Sequence, residues 1–496
     1  MDASYDADTS FIERTTMNDL IYFIGIGGTG MASTAGLAKE KGFRVTGSDS
    51  ALYPPMSNML KSLHINVHTP YQESNLYDLN PSLAVIGNSL SRGHCELEFI
   101  LKHHIKYMSF PEFLSTYILQ DRLPIVVAGT HGKTTTTSML SQVLSKLGYE
   151  PGYFIGGIPK DTDRSFRLGT GDYFAIEGDE YDTSCFDKNA KFLHYRPHII
   201  ILNSIEFDHA DIFSNLEKMD LQFQNLCQMI TDPKNIIANI ENEGVIRVLK
   251  SLKILDKVTA ISPKGNDPSA QTHIEHVSCH SKNGSDQLTH ATIVDKTLGK
   301  IPIETPLIAN HDIENFCHVV GALSRLQNIK SIPTASLSEA ISSFSGVKRR
   351  LEKLGDHKGI TIYEDFAHHP TSVTSGLLSL KRRGEFDRIL VAFEPKNATS
   401  RRRIFLDEYA KSFSHADLAF FGPCPADDRI PVDEKMDLEE LCRKTKIPAL
   451  AYQNNDDLFH DLLKEIKPKD CVVFMSCGSF SNIQHRLAAH ISQSEA

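Results

Sequence analysis

Short apolar runs recur along the chain, and most of them end at a glycine or at a cluster of polar residues. The runs occupy residues 20–24, 84–86, 125–128, 173–176, 199–202, 360–363, 389–393 and 471–475. Runs of this length suit buried strands of parallel sheets, and helices fit the segments between them. The pattern predicts an α/β fold in which polar side chains collect where the strands end.

A chain of 496 residues is too long for one hydrophobic core. We predict an N-terminal Rossmann-like domain at residues 20–122, a central P-loop ATPase-type α/β domain at 123–345, and a C-terminal Rossmann-like domain at 346–496. Residues 121–124 look like a linker. The acidic residues 1–19 lack the basic start and apolar core of a signal peptide, and we expect a poorly ordered or disordered leader there.

Residues 125–135 combine an apolar strand, a glycine turn and Gly-Lys-Thr, followed by a segment that is expected to be helical as far as Gly148. This order is typical of a phosphate-binding P-loop. Lys133 is placed to reach a β- or γ-phosphate, and the Thr134 hydroxyl suits Mg²⁺. The usual first glycine is replaced by Val127, so the loop is shorter than usual. An ordinary helix start is the alternative.

A second glycine turn follows the first strand, with glycines at positions 25, 27 and 30 and Asp49 after the next strand. The spacing is typical of a fold that binds a diphosphate at a helix N-terminus. A dinucleotide, another diphosphate such as a UDP-sugar, and a purely structural turn all remain possible. Arg92 follows the strand at 84–86. It is either a residue that binds a phosphate or carboxylate or a solvated arginine of a loop.

Two acidic clusters, Glu177–Asp182 and Glu206–Asp211, follow strands that are predicted to belong to the sheet of the P-loop. Parallel strands share one carboxyl edge, so both clusters are expected to face the phosphates. Carboxylates together with one histidine are suitable ligands for Mg²⁺ that bridges ATP. One acidic cluster alone could be explained as residues that cap the N-terminus of a helix. Two such clusters beside a P-loop favour a metal-binding role.

The rest of the chain carries fewer signals. Residues 256–306 predict a small β excursion, and residues 310–315 are expected to open a helix from Phe316 to Leu326 with Asp312 as its N-cap. Arg401–Arg403 form either a solvated helix face or a site for a polyacidic substrate.

Composition narrows the class of protein. The net charge of −10 argues against a nucleic-acid partner, and no run approaches the length of a membrane span. The nine cysteines are scattered without a Cys-x-x-Cys pair, which is typical of a reducing cytoplasm.

Several sequence motifs occur in a fixed order: Gly-Thr-His-Gly-Lys-Thr-Thr, Glu-Gly-Asp-Glu-Tyr-Asp, Asn-x₄-Asp-His, Arg-Arg-Leu-Glu and Asp-Phe-Ala-His-His-Pro-Thr. Together they resemble the Mur ligase family of ATP-dependent amide-forming enzymes, over residues 21–483. The resemblance implies ATP, two Mg²⁺ ions and an acyl-phosphate intermediate. It also accounts for the short P-loop, which is the form the family uses.

The family contains two members that act on UDP-N-acetylmuramate. One adds L-alanine, and the other adds the murein tripeptide L-alanyl-γ-D-glutamyl-meso-diaminopimelate in cell-wall recycling. Motifs at residues 47–57, 86–93, 186–195 and 206–213 favour the tripeptide acceptor. A cytoplasmic monomer or weak homodimer is expected. Two alternatives come from other classes of protein. One is an NAD-linked dehydrogenase with an accessory ATPase domain, and the other is a non-catalytic protein that acts as a nucleotide switch.

The resemblance also implies roles for individual residues. The catalytic set is Lys133, Glu177, His209, Arg350 and Asp365, with Thr134, Glu177 and His209 as metal ligands. The ATP-binding set is Gly129, Thr130, His131, Gly132, Lys133, Thr134, Thr135, Asn315, Arg350, Asp365 and His368. The UDP-sugar set is Gly25, Gly27, Gly28, Thr29, Gly30, Asp49, Asn88 and Arg92, and the peptide-binding pair is Lys396 and Arg401. Ala309 and Asp312 depart from the family's Gly and Asn, which affects the expected adenine contacts.

Overall fold

The computed structural model describes residues 18–207, 215–282, 286–425 and 430–493, which form three α/β domains, each built on its own sheet. The predicted leader lies outside the described residues except for Asn18 and Asp19. No helix in the described part of the chain has both the length and the apolar character that crossing a membrane requires.

The N-terminal domain has a five-stranded parallel sheet in the order β3-β2-β1-β4-β5. Its elements are β1 (Leu20–Ile24), α1 (Thr29–Glu40), β2 (Arg44–Ser48), α2 (Met56–Ser62), β3 (Asn66–His68), β4 (Leu83–Ile86), α3 (Cys95–Lys102), β5 (Tyr107–Ser109) and α4 (Phe110–Phe113). The order changes direction at β1 and β4, and ligands of such sheets bind at this switch point. The glycine turn follows β1 there.

The central domain has a ten-stranded sheet in the order β15-β14-β13-β12-β11-β10-β6-β9-β7-β8. Its elements are β6 (Leu123–Ala128), α5 (Lys133–Lys146), β7 (Gly152–Phe154), β8 (Phe166–Arg167), β9 (Tyr173–Gly178), β10 (Ile199–Leu202), α6 (Leu216–Gln228), β11 (Ile236–Asn239), α7 (Glu243–Ser251), β12 (Thr259–Ser262), β13 (Thr272–Lys282), β14 (Asp286–Asp295), β15 (Gly299–Thr305), α8 (Asn310–Leu323) and α9 (Thr334–Ser342). The strand before the P-loop, β6, pairs in parallel with β9 on one side and β10 on the other. This confirms that both acidic clusters follow neighbours of the P-loop strand.

The C-terminal domain has a six-stranded sheet in the order β16-β17-β21-β18-β19-β20, and only β16 runs antiparallel to its neighbour. Its elements are β16 (Glu352–His357), β17 (Ile360–Asp365), α10 (Pro370–Arg383), β18 (Arg388–Phe393), α11 (Leu406–Ser412), β19 (Leu418–Phe421), α12 (Leu438–Lys444), β20 (Ala449–Ala451), α13 (Asn455–Glu465), β21 (Asp470–Met475) and α14 (Ile483–Gln493).

The N-terminal and central domains share a continuous apolar core. Helix α1 approaches β8 so closely that a Cβ on Gly36 would lie 2.0 Å from the ring of Phe166. Only glycine fits this contact. The Phe110 and Phe154 rings stack across the same interface, with centroids 6.2 Å apart. The close packing fixes the diphosphate-type turn relative to the P-loop.

The small β excursion predicted at residues 256–306 consists of β12–β15, and β13–β15 form an antiparallel extension at one end of the central sheet. One prediction about local structure was wrong. Asp312 is not an N-cap, since α8 begins at Asn310 after the cap residue Ala309 and places Asp312 in its first turn. Arg401–Arg403 lie in a turn and the start of a short 3₁₀ segment, and Arg402 and Arg403 pair with Glu434 and Glu440.

Candidate active site

The phosphate loop lies between β6 and α5, and its shape depends on glycine. Gly129 and Gly132 have φ values of 136° and 79°, which favour glycine. A Cβ on Gly129 would lie 2.6 Å from the carbonyl oxygen of Ser204, which also accepts a 2.7 Å hydrogen bond from the Thr130 amide. The loop is therefore pressed against the end of β10.

Lys133 begins α5, and its ammonium group lies under the loop. Its Nζ donates to the Gly129 carbonyl at 2.6 Å and to Glu180 Oε2 at 2.9 Å. Burial lowers the pKa of Lys133, but the charges of Glu180, Asp179 and Glu177 outweigh this effect and leave the pKa raised. Lys133 therefore keeps its positive charge although it is buried beside the glycine loop.

Thr134 and Glu177 form a hydrogen-bonded pair of oxygen-bearing side chains beside Lys133. The Thr134 hydroxyl donates to Glu177 Oε1 at 2.9 Å, and the Gly156 amide donates to Glu177 Oε2 at 2.7 Å. Burial raises the pKa of Glu177, while Lys133 acts in the opposite direction. A hydroxyl and a carboxylate at this spacing fit Mg²⁺, which prefers oxygen ligands.

The C-terminal domain contributes Arg350 and Asp365 to the site around Thr134. The Arg350 guanidinium donates to Thr134 Oγ1 at 3.2 Å and lies over the Phe366 ring, 5.0 Å from its centroid. Asp365, at the end of β17, accepts hydrogen bonds from the Leu351 and Ala367 amides at 2.7 and 2.6 Å. Burial raises the pKa of Asp365, against the influence of Arg350 and His311. Asp365 thus fixes the backbone that presents Arg350.

Helix α8 contributes two of the predicted positions. Asn315 is buried, and its Oδ1 lies 2.8 Å from where a Cβ on Gly132 would be, so it faces the phosphate loop. Asp312 is also buried, and this burial raises its pKa to about 7, with Lys160 and Arg350 acting in the opposite direction.

The histidines of the predicted set lie in different places. His131 Nε2 is 3.2 Å from Glu206 Oε2, and the His131 ring lies 4.8 Å from the ring of His369 in the C-terminal domain. His368 Nδ1 is 2.9 Å from the Phe366 carbonyl. His209 lies outside the described residues.

The glycine turn of the N-terminal domain is closed by Asp49. The Gly27 amide donates to Asp49 Oδ2 at 2.8 Å, and Gly30 packs against Phe110. Gly28 and Thr29 are exposed at the start of α1, as is Asn88 after β4. Arg92 is 76% exposed and pairs with Glu98 at 2.8 Å, so it lies outside the cluster around the turn.

The predicted peptide-binding residues follow β18. Lys396 is exposed and lies beside Gly478, and the Arg401 guanidinium donates to the Asn397 carbonyl at 3.3 Å. Both lie near the carboxyl edge of the C-terminal sheet, where β17, β18 and β21 end.

Sequence reasoning missed several residues that the fold brings into the site. Glu180 and Glu206 were only members of the acidic clusters, although one holds Lys133 and the other contacts His131. Tyr71 was also missed, although burial and its interaction with the side chain of Asp49 raise the pKa of Tyr71. Lys191 pairs with Asp179 at 2.5 Å. The contacts of Glu206, Tyr71 and Lys191 depend on packing between distant segments.

Comparison with known proteins decides the family. Three family models match consecutive parts of the chain: Mur ligase family, catalytic domain, at residues 20–122; Mur ligase middle domain at 127–323; and Mur ligase, glutamate ligase domain, at 349–478. The chain is also 34% identical to the UDP-N-acetylmuramate–L-alanyl-γ-D-glutamyl-meso-2,6-diaminoheptandioate ligase of Escherichia coli (strain K12), across 94% of this chain and 97% of that protein. The chain belongs to the Mur ligase family.

Two further relatives of this Mur ligase differ in the acceptor that their names give. A solved murein peptide ligase from Psychrobacter arcticus is 32% identical and has a TM-score of 0.69, covering 96% of this chain and 99% of that one. The UDP-N-acetylmuramate–L-alanine ligase of Carboxydothermus hydrogenoformans is 31% identical across 94% of this chain and 96% of that protein. As a member of the family, the protein is an ATP-dependent ligase that forms a C–N bond.

Proposed function

We propose that this Mur ligase joins UDP-N-acetylmuramate to the tripeptide L-alanyl-γ-D-glutamyl-meso-diaminopimelate and releases ADP and phosphate. The observation that carries the proposal is the meeting of Lys133, Thr134 and Glu177 with Arg350 at one point between two domains. The near full-length similarity to the E. coli tripeptide ligase supports this acceptor.

The residues of the central domain have the properties that activation of a carboxylate requires. An amide forms from a carboxylate in water only after activation, and phosphoryl transfer depends on positioning and charge neutralisation. Lys133 and the loop amides would bind the β- and γ-phosphates of ATP, and Arg350 would bind the γ-phosphate from the other side. Thr134 and Glu177 would hold one Mg²⁺, which supplies charge neutralisation at the phosphates. His209 is proposed as the ligand of a second ion.

The other domains would supply the two substrates. The turn at residues 25–30, with Asp49 and Tyr71, is proposed to hold the UDP-sugar at a helix N-terminus. Lys396 and Arg401 are proposed to bind carboxylates of the peptide. Closure of the C-terminal domain onto Thr134 would exclude water from an acyl phosphate, which water would otherwise hydrolyse. A cytoplasmic role in cell-wall recycling follows from these substrates.

An acceptor screen tests the proposal. ADP release is measured with UDP-N-acetylmuramate and ATP plus L-alanine, the dipeptide, the tripeptide or the tetrapeptide. The tripeptide is expected to give the highest kcat/KM. A preference for L-alanine would assign the chain to the other activity, that of the 31% identical alanine ligase.

A further inference from the structure

Three side chains capable of binding a metal meet across the interface between the central and C-terminal domains. His131 belongs to the phosphate loop, Glu206 follows β10, and His369 precedes α10. One ligand atom from each residue lies within 4.8 Å of the others. Across residues 18–207, 215–282, 286–425 and 430–493, no other set of three histidine, cysteine, aspartate or glutamate side chains has this spacing.

The distances approach those of a coordination sphere. His131 Nε2 lies 3.2 Å from Glu206 Oε2, and His369 Nδ1 lies 4.0 Å from the same oxygen. Neighbouring ligand atoms of a tetrahedral ion are about 3.3 Å apart when each lies about 2 Å from the metal. The first pair already has this spacing. His369 Nδ1 also accepts a 3.4 Å hydrogen bond from the Thr371 amide, and it would exchange this bond for the ion as it moves closer.

The backbone and the neighbouring hydroxyl groups hold these side chains in place. The His131 amide donates to Ser204 Oγ at 3.1 Å, and the Glu206 amide donates to Thr130 Oγ1 at 2.9 Å. From the C-terminal domain, Thr371 donates to Glu206 Oε2 at 2.8 Å, and Ser372 Oγ lies 3.4 Å from His131 Nδ1. Such outer contacts orient the ligands of metal sites. Because Ser372 faces His131 Nδ1, the other ring nitrogen is the one directed at Glu206.

We propose that His131, Glu206 and His369 bind a divalent transition-metal ion that joins the C-terminal domain to the phosphate loop. Two imidazoles and one carboxylate form a ligand set that suits Zn²⁺ or Co²⁺. Mg²⁺ prefers oxygen, so this site differs in chemistry from the Thr134–Glu177 pair. A histidine of the phosphate loop and one of the C-terminal domain would share the ion, so a bound ion would hold the two domains together. Zn²⁺ is therefore expected to slow nucleotide exchange.

Direct metal binding tests the site without relying on the proposed reaction. Co²⁺ is titrated into the apo protein in the presence of excess Mg²⁺, and its visible absorption and stoichiometry are recorded for wild type, His369→Gln and His460→Gln. His460 is an exposed histidine on α13, so its loss is the matched control. Wild type and the control are expected to bind one Co²⁺ with the intense band of tetrahedral coordination, and His369→Gln to bind at least tenfold more weakly.

Equal Co²⁺ affinity of wild type and His369→Gln would overturn the proposal, as would a spectrum without tetrahedral intensity. If His369→Gln is unstable, Glu206→Gln, which keeps the shape of the side chain, provides the same comparison, and undiminished Co²⁺ affinity there also overturns the site. Zn²⁺ inhibition of ADP release should weaken in parallel with Co²⁺ affinity. Wild type that binds Co²⁺ as expected but shows no ligase activity would instead count against the proposed function alone.

Discussion

Arg350 of the C-terminal domain donates a 3.2 Å hydrogen bond to the hydroxyl of Thr134, the residue after the phosphate-loop lysine. The same hydroxyl contacts Glu177 at 2.9 Å. A group from one domain therefore touches the proposed metal and phosphate site of another. The site is therefore complete only when the C-terminal domain lies against the phosphate loop.

Substitution of Arg350 should affect catalysis, whereas substitution of its neighbour Arg349 should affect stability. Arg350→Lys keeps the charge but loses the planar fork, so kcat should fall on the order of 100-fold, the effect of losing one transition-state donor. The melting temperature should barely change. Steady-state kinetics with thermal unfolding measures both quantities.

Arg349→Lys is the matched control for this experiment. Arg349 donates to Glu364 at 2.8 Å and to the Ser476 carbonyl at 2.9 Å, so it holds the C-terminal sheet together. Its replacement should cost about 1–3 kcal/mol of unfolding free energy, the penalty of leaving buried partners unsatisfied. A larger kcat loss for Arg349→Lys than for Arg350→Lys would contradict the assignment.

Glu180→Gln should make the protein depend more on ATP for its stability. Glu180 is buried and neutralises Lys133, so the variant leaves a buried ammonium group with a weaker partner. The phosphates of bound ATP would take the place of Glu180 as the negatively charged partner of Lys133. The gain in melting temperature on adding ATP should therefore be larger than in wild type. The exposed Glu150→Gln serves as control, and an equal ATP-dependent gain in Glu180→Gln and wild type would refute the role of Glu180.

Asp312 should make stability depend on pH between about 4 and 7. Burial raises its pKa from 3.8 to about 7. The folded state therefore holds a proton that the unfolded state has lost, and wild type loses stability as pH rises through this window. Between pH ~4 and ~7, the free energy of unfolding of Asp312→Asn relative to wild type should rise by up to about 1.4 kcal/mol per pH unit. Above pH ~7 the difference should stay constant.

Chemical denaturation at several pH values measures this difference, with the exposed Asp433→Asn as control. A difference between Asp312→Asn and wild type that stays constant with pH would show that Asp312 is not protonated in the folded state.

Gly129→Ala should weaken ATP binding at least tenfold while the protein stays folded. The added Cβ would meet the Ser204 backbone at 2.6 Å, and the φ of 136° is unfavourable for alanine. Gly93→Ala has a similar positive φ of 90° but meets nothing within 4 Å, so it isolates the effect of the clash. ATP affinity by calorimetry should fall at least tenfold only for Gly129→Ala. Equal affinities for the two variants would mean that the loop tolerates displacement.

The sequence predicted the fold better than the contacts between domains. The strands before the P-loop and the acidic clusters were recognisable because apolar runs and glycine turns are local signals. Asp312 was misplaced because an aspartate near a helix start fits either a cap or the first turn. The contact of Glu206 with His369 joins two domains through segments that no local pattern connects.

The most direct test of the account is product formation by wild type and Lys133→Ala with UDP-N-acetylmuramate, the tripeptide and ATP, followed by mass spectrometry. Wild type should form the UDP-N-acetylmuramoyl tripeptide with one ADP per product, and omission of either substrate should stop ADP release. Lys133→Ala should form none. Product from Lys133→Ala at the wild-type rate, or ADP release by wild type without the UDP-sugar, would contradict the account.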